Sequence, residues 1–191
     1  MNKIDIGAKP FMYPMPVTLV GANVGDKPNY LVAAYVGMVN SRPPMISVAL
    51  SKSHYTNLGI REHGTFSVNI PSEEMVTATD YCGLVSGHKV DKSRIFETFY
   101  GKLESAPMIK ECPLNLECKV VQTLQLAVDE VFIGEIVAVY CEERYLTDGL
   151  PDIKKIRPFV FSTQDGNYWK VGDHLGKAWE VGKALKDQGT P

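Results

Sequence analysis

The sequence predicts a mainly β protein, with a closed or sandwich-like antiparallel core; of the two a barrel with helices packed outside it is preferred. Three observations carry this. Apolar segments follow the order β-β-β-α-β-α and then mostly β, without the regular βα alternation of a doubly wound parallel sheet. Leu114, Leu116, Cys118 and Val120 alternate with Asn115, Glu117 and Lys119, the period of a strand half buried and half wet. Val131 to Tyr140 is nearly all apolar, as expected of a strand covered on both faces.

Taken in order, Val17 to Ala22 reads as a first strand, and Gly25-Asp26-Lys27-Pro28 supplies the turn to a second, aromatic stretch from Asn29 to Val39. Arg42-Pro43-Pro44 interrupts, and Met45 to Leu50 resumes as a short strand, because proline is tolerated at a strand start but not at its centre. From Ser53 the spacing turns helical through Tyr55, Leu58 and Ile60, with Gly64 placed to stop the helix. Phe66 to Ile70 returns to β character. Pro71-Ser72-Glu73-Glu74 then announces a helix that Ser72 can cap, whose positive end two carboxylates favour, and that Gly83 would end. A polar loop, 83 to 93, precedes the strands at 114–120 and 131–140. The C-terminal part gives a short strand at Phe159 to Ser162, a turn and strand through GNYWKVG, a terminal helix over Ala178 to Leu185, and a mobile tail from Lys186 to Pro191.

At 191 residues, 45% hydrophobic and 22% charged, the chain reads as one globular domain able to bury a core. A net charge of −2 provides no basic field for nucleic acid or anionic lipid. No apolar run near the N-terminus is long enough for a signal peptide, and no stretch of 18 apolar residues occurs, so a cytoplasmic protein is expected. Cys82, Cys112, Cys118 and Cys141 form no CxxC pair and read as reduced thiols, Cys118 as a small core hydrophobe. The histidines at 54, 63, 88 and 174 are scattered, and no metal site follows from local spacing.

Two segments carry candidate chemistry. Ser51-Lys52-Ser53-His54-Tyr55-Thr56 joins a strand to a helix, where free N–H groups and the helix dipole favour an anion; Lys52 with Ser51, Ser53 or Thr56 could complete a phosphate cradle. Simple capping by Ser53 explains the same residues equally well. The loop from Cys82 to Lys92 offers Ser86, His88, Lys89, Lys92 and two glycines that permit close backbone approach, in a pattern that an ordinary solvated loop also satisfies. GxGxxG after a strand, GxxxxGK[ST], GxSxG and HExxH are all absent from the sequence.

Four stretches in this order resemble the flavin reductase-like family, in particular its flavoredoxin branch: NYLVAAY from Asn29 to Tyr35; PPMISV from Pro43 with its Ser51 to Thr56 continuation; DYCG from Asp80 through Ser86-Gly87 to Asp91-Lys92; and FIGEI from Phe132. The likeness spans roughly residues 10 to 175. It implies an antiparallel, Greek-key-like split β-barrel that binds FMN, one domain over 1–191 with a C-terminal extension from about 173. It also implies that Asn29, Tyr35, Thr56 and Lys92 meet the flavin, with Ser51, Lys52 and Ser86 nearby and Asp129 and Phe161 as further cofactor contacts. Where relatives often carry a histidine, this sequence has Asp129, which would tune a flavin or nicotinamide differently. Such barrels pair as homodimers with the flavin near the boundary, giving Tyr35, Phe161, Tyr168 and Trp169 a place to pack; burial in the monomer core is the other reading for Phe161.

The implied activity is an oxidoreductase passing electrons from NADH or NADPH through bound FMN to free flavin, a metal chelate or a redox carrier. Hydride transfer needs no side-chain nucleophile or base, so no catalytic residue is assigned. Two alternatives are a flavoredoxin-like electron-transfer protein that takes electrons from a redox protein without efficient NAD(P)H turnover, and a non-enzymatic ligand-binding or interaction barrel.

Overall fold

The computed structural model describes residues 2–183 and 185. In chain order its elements are β1 (Met15–Pro16), β2 (Thr18–Val24), β3 (Lys27–Ala33), β4 (Val36–Ser41), β5 (Pro44–Ser51), α1 (Thr56–His63), β6 (Thr65–Ile70) and α2 (Val76–Leu84). There follow β7 (Thr98–Phe99), β8 (Met108–Ile109), β9 (Leu114–Gln125), β10 (Asp129–Cys141), β11 (Leu146–Thr147), β12 (Leu150–Pro151), α3 (Ile153–Ile156), β13 (Phe159–Ser162) and β14 (Asn167–Lys170).

Strands β2 and β3 form a hairpin in which Val24 pairs with Lys27, so the turn is only Gly25 and Asp26. Gly25 has φ 57°, a conformation that such tight hairpin turns favour and that glycine adopts without strain. The aromatic stretch expected from Asn29 to Val39 is two strands, not one, broken at Ala34 and Tyr35. There the chain turns from β3 into β4, and the Tyr35 carbonyl accepts from Ala49 N–H at 2.9 Å.

Seven antiparallel strands form one sheet in the order β3-β2-β6-β9-β10-β5-β4. Side chains from β2 (Val20, Ala22), β3 (Leu31, Ala33), β5 (Ile46, Val48, Leu50), β6 (Phe66, Val68), β9 (Leu116, Cys118) and β10 (Phe132) meet Ile60 of α1 in a single core. One cluster can gather residues from so many strands only if the sheet curls around it, and the result is a split barrel. Each fully buried side chain such as Phe66 or Phe132 contributes roughly 1.5–3 kcal/mol. A second core lies outside the barrel, where Leu19, Tyr30, Cys82, Phe96, Ile109 and Cys112 pack together.

Several expectations are corrected. The second face of β9 is wet only in part: Lys119 is exposed as expected, but Asn115 and Glu117 are buried. The segment before β8 covers them. Lys102 and Leu103 donate their N–H groups to Glu117 at 2.9 and 2.6 Å, and Asn115 donates to the Asn69 side chain and the Ile109 carbonyl, each at 2.8 Å. Strand β10 is fully buried on one face only, at Glu130, Phe132 and Gly134; Val131 and Ile133 on the other face are partly buried, and Val139 is exposed.

Ser72 caps nothing with its side chain. A 3-10 turn at Glu73–Met75 precedes α2, which runs past Gly83 to Leu84. Glu73 and Glu74 instead hold Arg157, Glu74 at 2.7 Å, and Glu73 also pairs with Lys170 at 3.2 Å, tying the C-terminal strands to this turn. Of the helix expected over Ala178 to Leu185, 178–182 is a run of turns, with Trp179 92% exposed, and among its described residues helical conformation is found only at Lys183 and Leu185; the tail 186–191 lies outside the described residues. Among the described residues no helix is long and apolar enough to cross a membrane.

Candidate functional site

Helix α1 opens without a side-chain cap. Ser53, the expected cap, turns its hydroxyl to Ser51 Oγ at 3.0 Å, so the first N–H groups of α1 keep no side-chain acceptor. Asn29, on the neighbouring β3, donates its amide to Thr56 Oγ1 at 2.7 Å, and both residues are buried. Having accepted from Asn29, the threonine hydroxyl still has its own proton to donate.

These groups border a cavity of about 190 Å³, lined also by Ser86, Gly87, Lys92 and His54. Lys92 is buried, and its ammonium donates to the carbonyls of Tyr30 at 3.0 Å and Cys82 at 2.7 Å. An ammonium has three protons, so one remains for the cavity. Burial lowers the Lys92 pKa, with the nearby Cys82 thiol acting the other way. The Cys82 thiol itself is pushed up to about 11 by burial, against the pull of Lys92, and so stays protonated. Gly87 lets the loop close over the site: a Cβ there would lie 2.5 Å from the Tyr55 ring and 2.6 Å from Asn29 Oδ1. Tyr55 meets His88 edge to face at 4.8 Å.

A second cavity, about 370 Å³, adjoins the first and is lined by Tyr35, Ser51, His54, Asp129 and Phe161, with Pro10, Thr163 and Gln164 at its rim. This is the size range of ligand sites. Asp129 stands opposite Ser51 in the β10–β5 register. Phe161 is partly buried and leans on Tyr168, which donates its hydroxyl to Asp80 at 2.9 Å. Of the nine residues singled out from sequence, Asn29, Thr56, Ser86 and Lys92 gather at the first cavity and Tyr35, Ser51, Asp129 and Phe161 at the second. Lys52 turns away: its ammonium lies on the carbonyls of Leu126 and Ala127, and it borders neither cavity.

Two features escaped the sequence reading. His54 borders both cavities; its place inside the Ser51–Thr56 segment was the available signal. A buried network also supports the segment from beneath. Glu130, fully buried, accepts from Asn57 at 2.7 Å, from Gln125 at 3.1 Å and from Arg61, and Asn57 also donates to the Ser51 carbonyl at 2.9 Å. Burial alone would raise the Glu130 pKa; hydrogen bonds from Arg61, Gln125 and Asn57 outweigh it and leave the carboxyl below its ordinary range.

The donor set suits a phosphate beside a flat ring: a buried ammonium and the Thr56 and Ser86 hydroxyls line one cavity at the start of α1, and an aromatic-walled space opens next to it. Comparison with known proteins agrees. Residues 11–161 match the family model described as flavin reductase like domain. The chain belongs to this family.

Its similarity within the flavin reductase like family extends over the full length of solved flavoredoxins. The flavoredoxin of Methanosarcina acetivorans is 56% identical, with a TM-score of 0.95 over 97% of this chain and 100% of that one. The flavoredoxin of Desulfovibrio vulgaris (Miyazaki F) is 38% identical, with a TM-score of 0.89 over 95% and 100%. An uncharacterised protein of Archaeoglobus fulgidus is 34% identical over 145 residues, 75% of this chain and 81% of its own length. This chain therefore lies in the flavoredoxin branch of the family.

Proposed function

We propose that this protein binds FMN and uses it as a redox centre, with the phosphate in the Asn29–Thr56–Lys92 cavity and the ring beside Tyr35, Asp129 and Phe161. The observation that carries the reading is the gathering of Asn29, Thr56, Ser86 and Lys92, distant in sequence, around one cavity next to an aromatic one. The flavoredoxins similar to this chain, and a more distant FMN-binding protein of Thermus thermophilus that shares the fold, support it.

When bound, FMN supplies hydride acceptance and one-electron transfer, chemistry that no side chain here has. The protein's residues bind and orient. Thr56, Lys92 and the start of α1 hold the phosphate, and Asn29 fixes the threonine hydroxyl that points to it. Ser86 and Gly87 close the loop over the phosphate, while Tyr35 and Phe161 limit how far the ring can shift.

The activity proposed is transfer of electrons from NADH or NADPH through FMN to a flavin, a metal chelate or a redox carrier. Asp129 favours a second reading, a flavoredoxin-like carrier reduced by a redox protein: a carboxylate beside the ring opposes the negative charge that reduction brings, where an imidazole would offset it. Anaerobic titration of the FMN-loaded protein with NADH and NADPH separates the two. Bleaching of the flavin at stoichiometric nicotinamide supports the reductase; a flavin that stays oxidised with both, yet bleaches with a reduced redox protein, supports the carrier.

We further propose a cytoplasmic homodimer built from single domains. Strand β4, the outer end of β9 and the turn from β9 to β10 expose Met38, Val39, Val121, Leu124, Leu126 and Val128, apolar surface that a second copy would cover. A sedimentation mass of one chain at micromolar protein would exclude it.

A further inference from the structure

We propose that His54 contacts the bound cofactor directly and carries a proton in the loaded site, where its imidazolium stands between the Asp129 carboxylate and the phosphate. This rests on the FMN reading above and adds to it a charge state and a residue that no motif supplies.

The geometry is that of a junction. Among the described residues that line the two cavities, only Val32 and His54 border both, and of these only His54 can ionise. A ligand that fills both spaces must pass along it. The charged and titratable groups that line these cavities with His54 are its neighbour Tyr55, Lys92 from the loop after α2, Cys82 from α2, Asp129 from β10 and Tyr35 from the β3–β4 joint. In the free protein the imidazole is held neutral more firmly than usual. Burial lowers its pKa first, the Lys92 charge lowers it further, and Asp129 opposes both.

A phosphate dianion in the first cavity reverses this balance. It offsets the Lys92 charge and adds negative charge in the cavity that Asp129 does not line, and a cation between two anions is favoured. If His54 stayed neutral, the phosphate and Asp129 would face each other as like charges across the same junction. The proton comes from solvent, and no bond or electron is exchanged. By linkage, a group that holds its proton more tightly in the complex takes one up on binding, and the affinity then falls as pH rises through its pKa in the complex.

The test uses the full chain with FMN and with riboflavin, which lacks the phosphate, between pH 7 and 9, where the FMN phosphate is already a dianion. The expected result is an FMN dissociation constant that rises toward the limit of about tenfold per pH unit set by one proton. Riboflavin binding should be much flatter, and in His54→Gln the FMN slope should be reduced to whatever Lys92 alone contributes. NMR titration of the His54 ring, with and without FMN, gives an independent readout, and the loaded protein should show the higher pKa. An unchanged slope in His54→Gln, or a His54 pKa that is unmoved or lowered by FMN, overturns the proposal. A wild-type chain that binds neither FMN nor riboflavin at any of these pH values overturns the FMN reading itself, and this proposal with it.

Discussion

The side-chain amide of Asn29 donates to Thr56 Oγ1 at 2.7 Å, fastening strand β3 to the first turn of α1 across 27 residues of sequence. The bond is buried at both ends and sets the direction of the Thr56 hydroxyl, which borders the phosphate cavity. Removing either partner should therefore weaken ligand binding through the same hydroxyl.

Thr56→Ala should weaken FMN binding about tenfold, the worth of one hydrogen bond at about 1–2 kcal/mol, and leave the Asn29 amide unpaired. Asn29→Ala should lose a similar amount. In a double-mutant cycle read by flavin fluorescence quenching, the two losses should fall short of adding by about 1 kcal/mol. Fully additive losses would mean that the two residues act independently.

Lys92→Ala should weaken FMN binding and also destabilise the chain. The ammonium is buried on two backbone carbonyls, and removing it leaves both unpaired, at a cost of about 2–4 kcal/mol. Urea unfolding of the apo-protein checks this: the midpoint should fall, while Thr56→Ala should move it less. An unchanged Lys92→Ala midpoint would show that the buried bonds contribute nothing to stability.

Acid should unfold the protein partly through Glu130. Its folded-state pKa lies below the ordinary carboxylate range, so the stabilisation is complete above that range and is lost as pH falls through the lowered folded value. Glu130→Gln should flatten the stability profile below about pH 5, and at pH 7 should cost roughly 1–3 kcal/mol, since Arg61 reaches solvent while its partner does not. Denaturant midpoints measured from pH 3 to 7 for both proteins would show it; parallel curves would contradict it.

Gly59→Ala should destabilise, although alanine in place of glycine ordinarily strengthens a helix by about 1 kcal/mol. Here α1 packs so closely on β2 that a Cβ at this position would lie 1.9 Å from the Asn23 carbonyl oxygen. Backbone must move to admit it, at a cost of about 1–3 kcal/mol. A thermal midpoint that rises in this variant would rule out the close packing described.

Much of the fold was legible because it depends on local pattern. The period of two at Leu114–Val120 marks the core face of β9, and Cys118 lies in the core as that pattern implied. The strand-to-helix junction at Ser51–Thr56 was equally plain, but its meaning was not. Ser53 as a cap and Ser53 as a bystander look the same in sequence, and only the course of the chain gives its hydroxyl to Ser51.

What sequence hid is contact between distant segments. The alternation at Asn115 and Glu117 was read as wet because nothing local says that residues 102–109 fold over them. Lys92 looked like a loop lysine, since the carbonyls that bury it belong to Tyr30 and Cys82. Glu130 and Arg61 stand 69 residues apart, and neither carries a signature of its partner. Four separated residues could be placed at one site from sequence only through the family resemblance, which orders stretches that composition and periodicity leave unconnected.

The central claim is that the Asn29–Thr56–Lys92 cavity and its aromatic neighbour together hold FMN. The purified chain incubated with excess FMN, freed of unbound flavin by gel filtration and read by visible absorbance, tests it most directly. Flavin bands co-eluting with the protein, and diminished in Thr56→Ala and Lys92→Ala, are the expected result. A colourless protein peak, or bands undiminished in both variants, would contradict it.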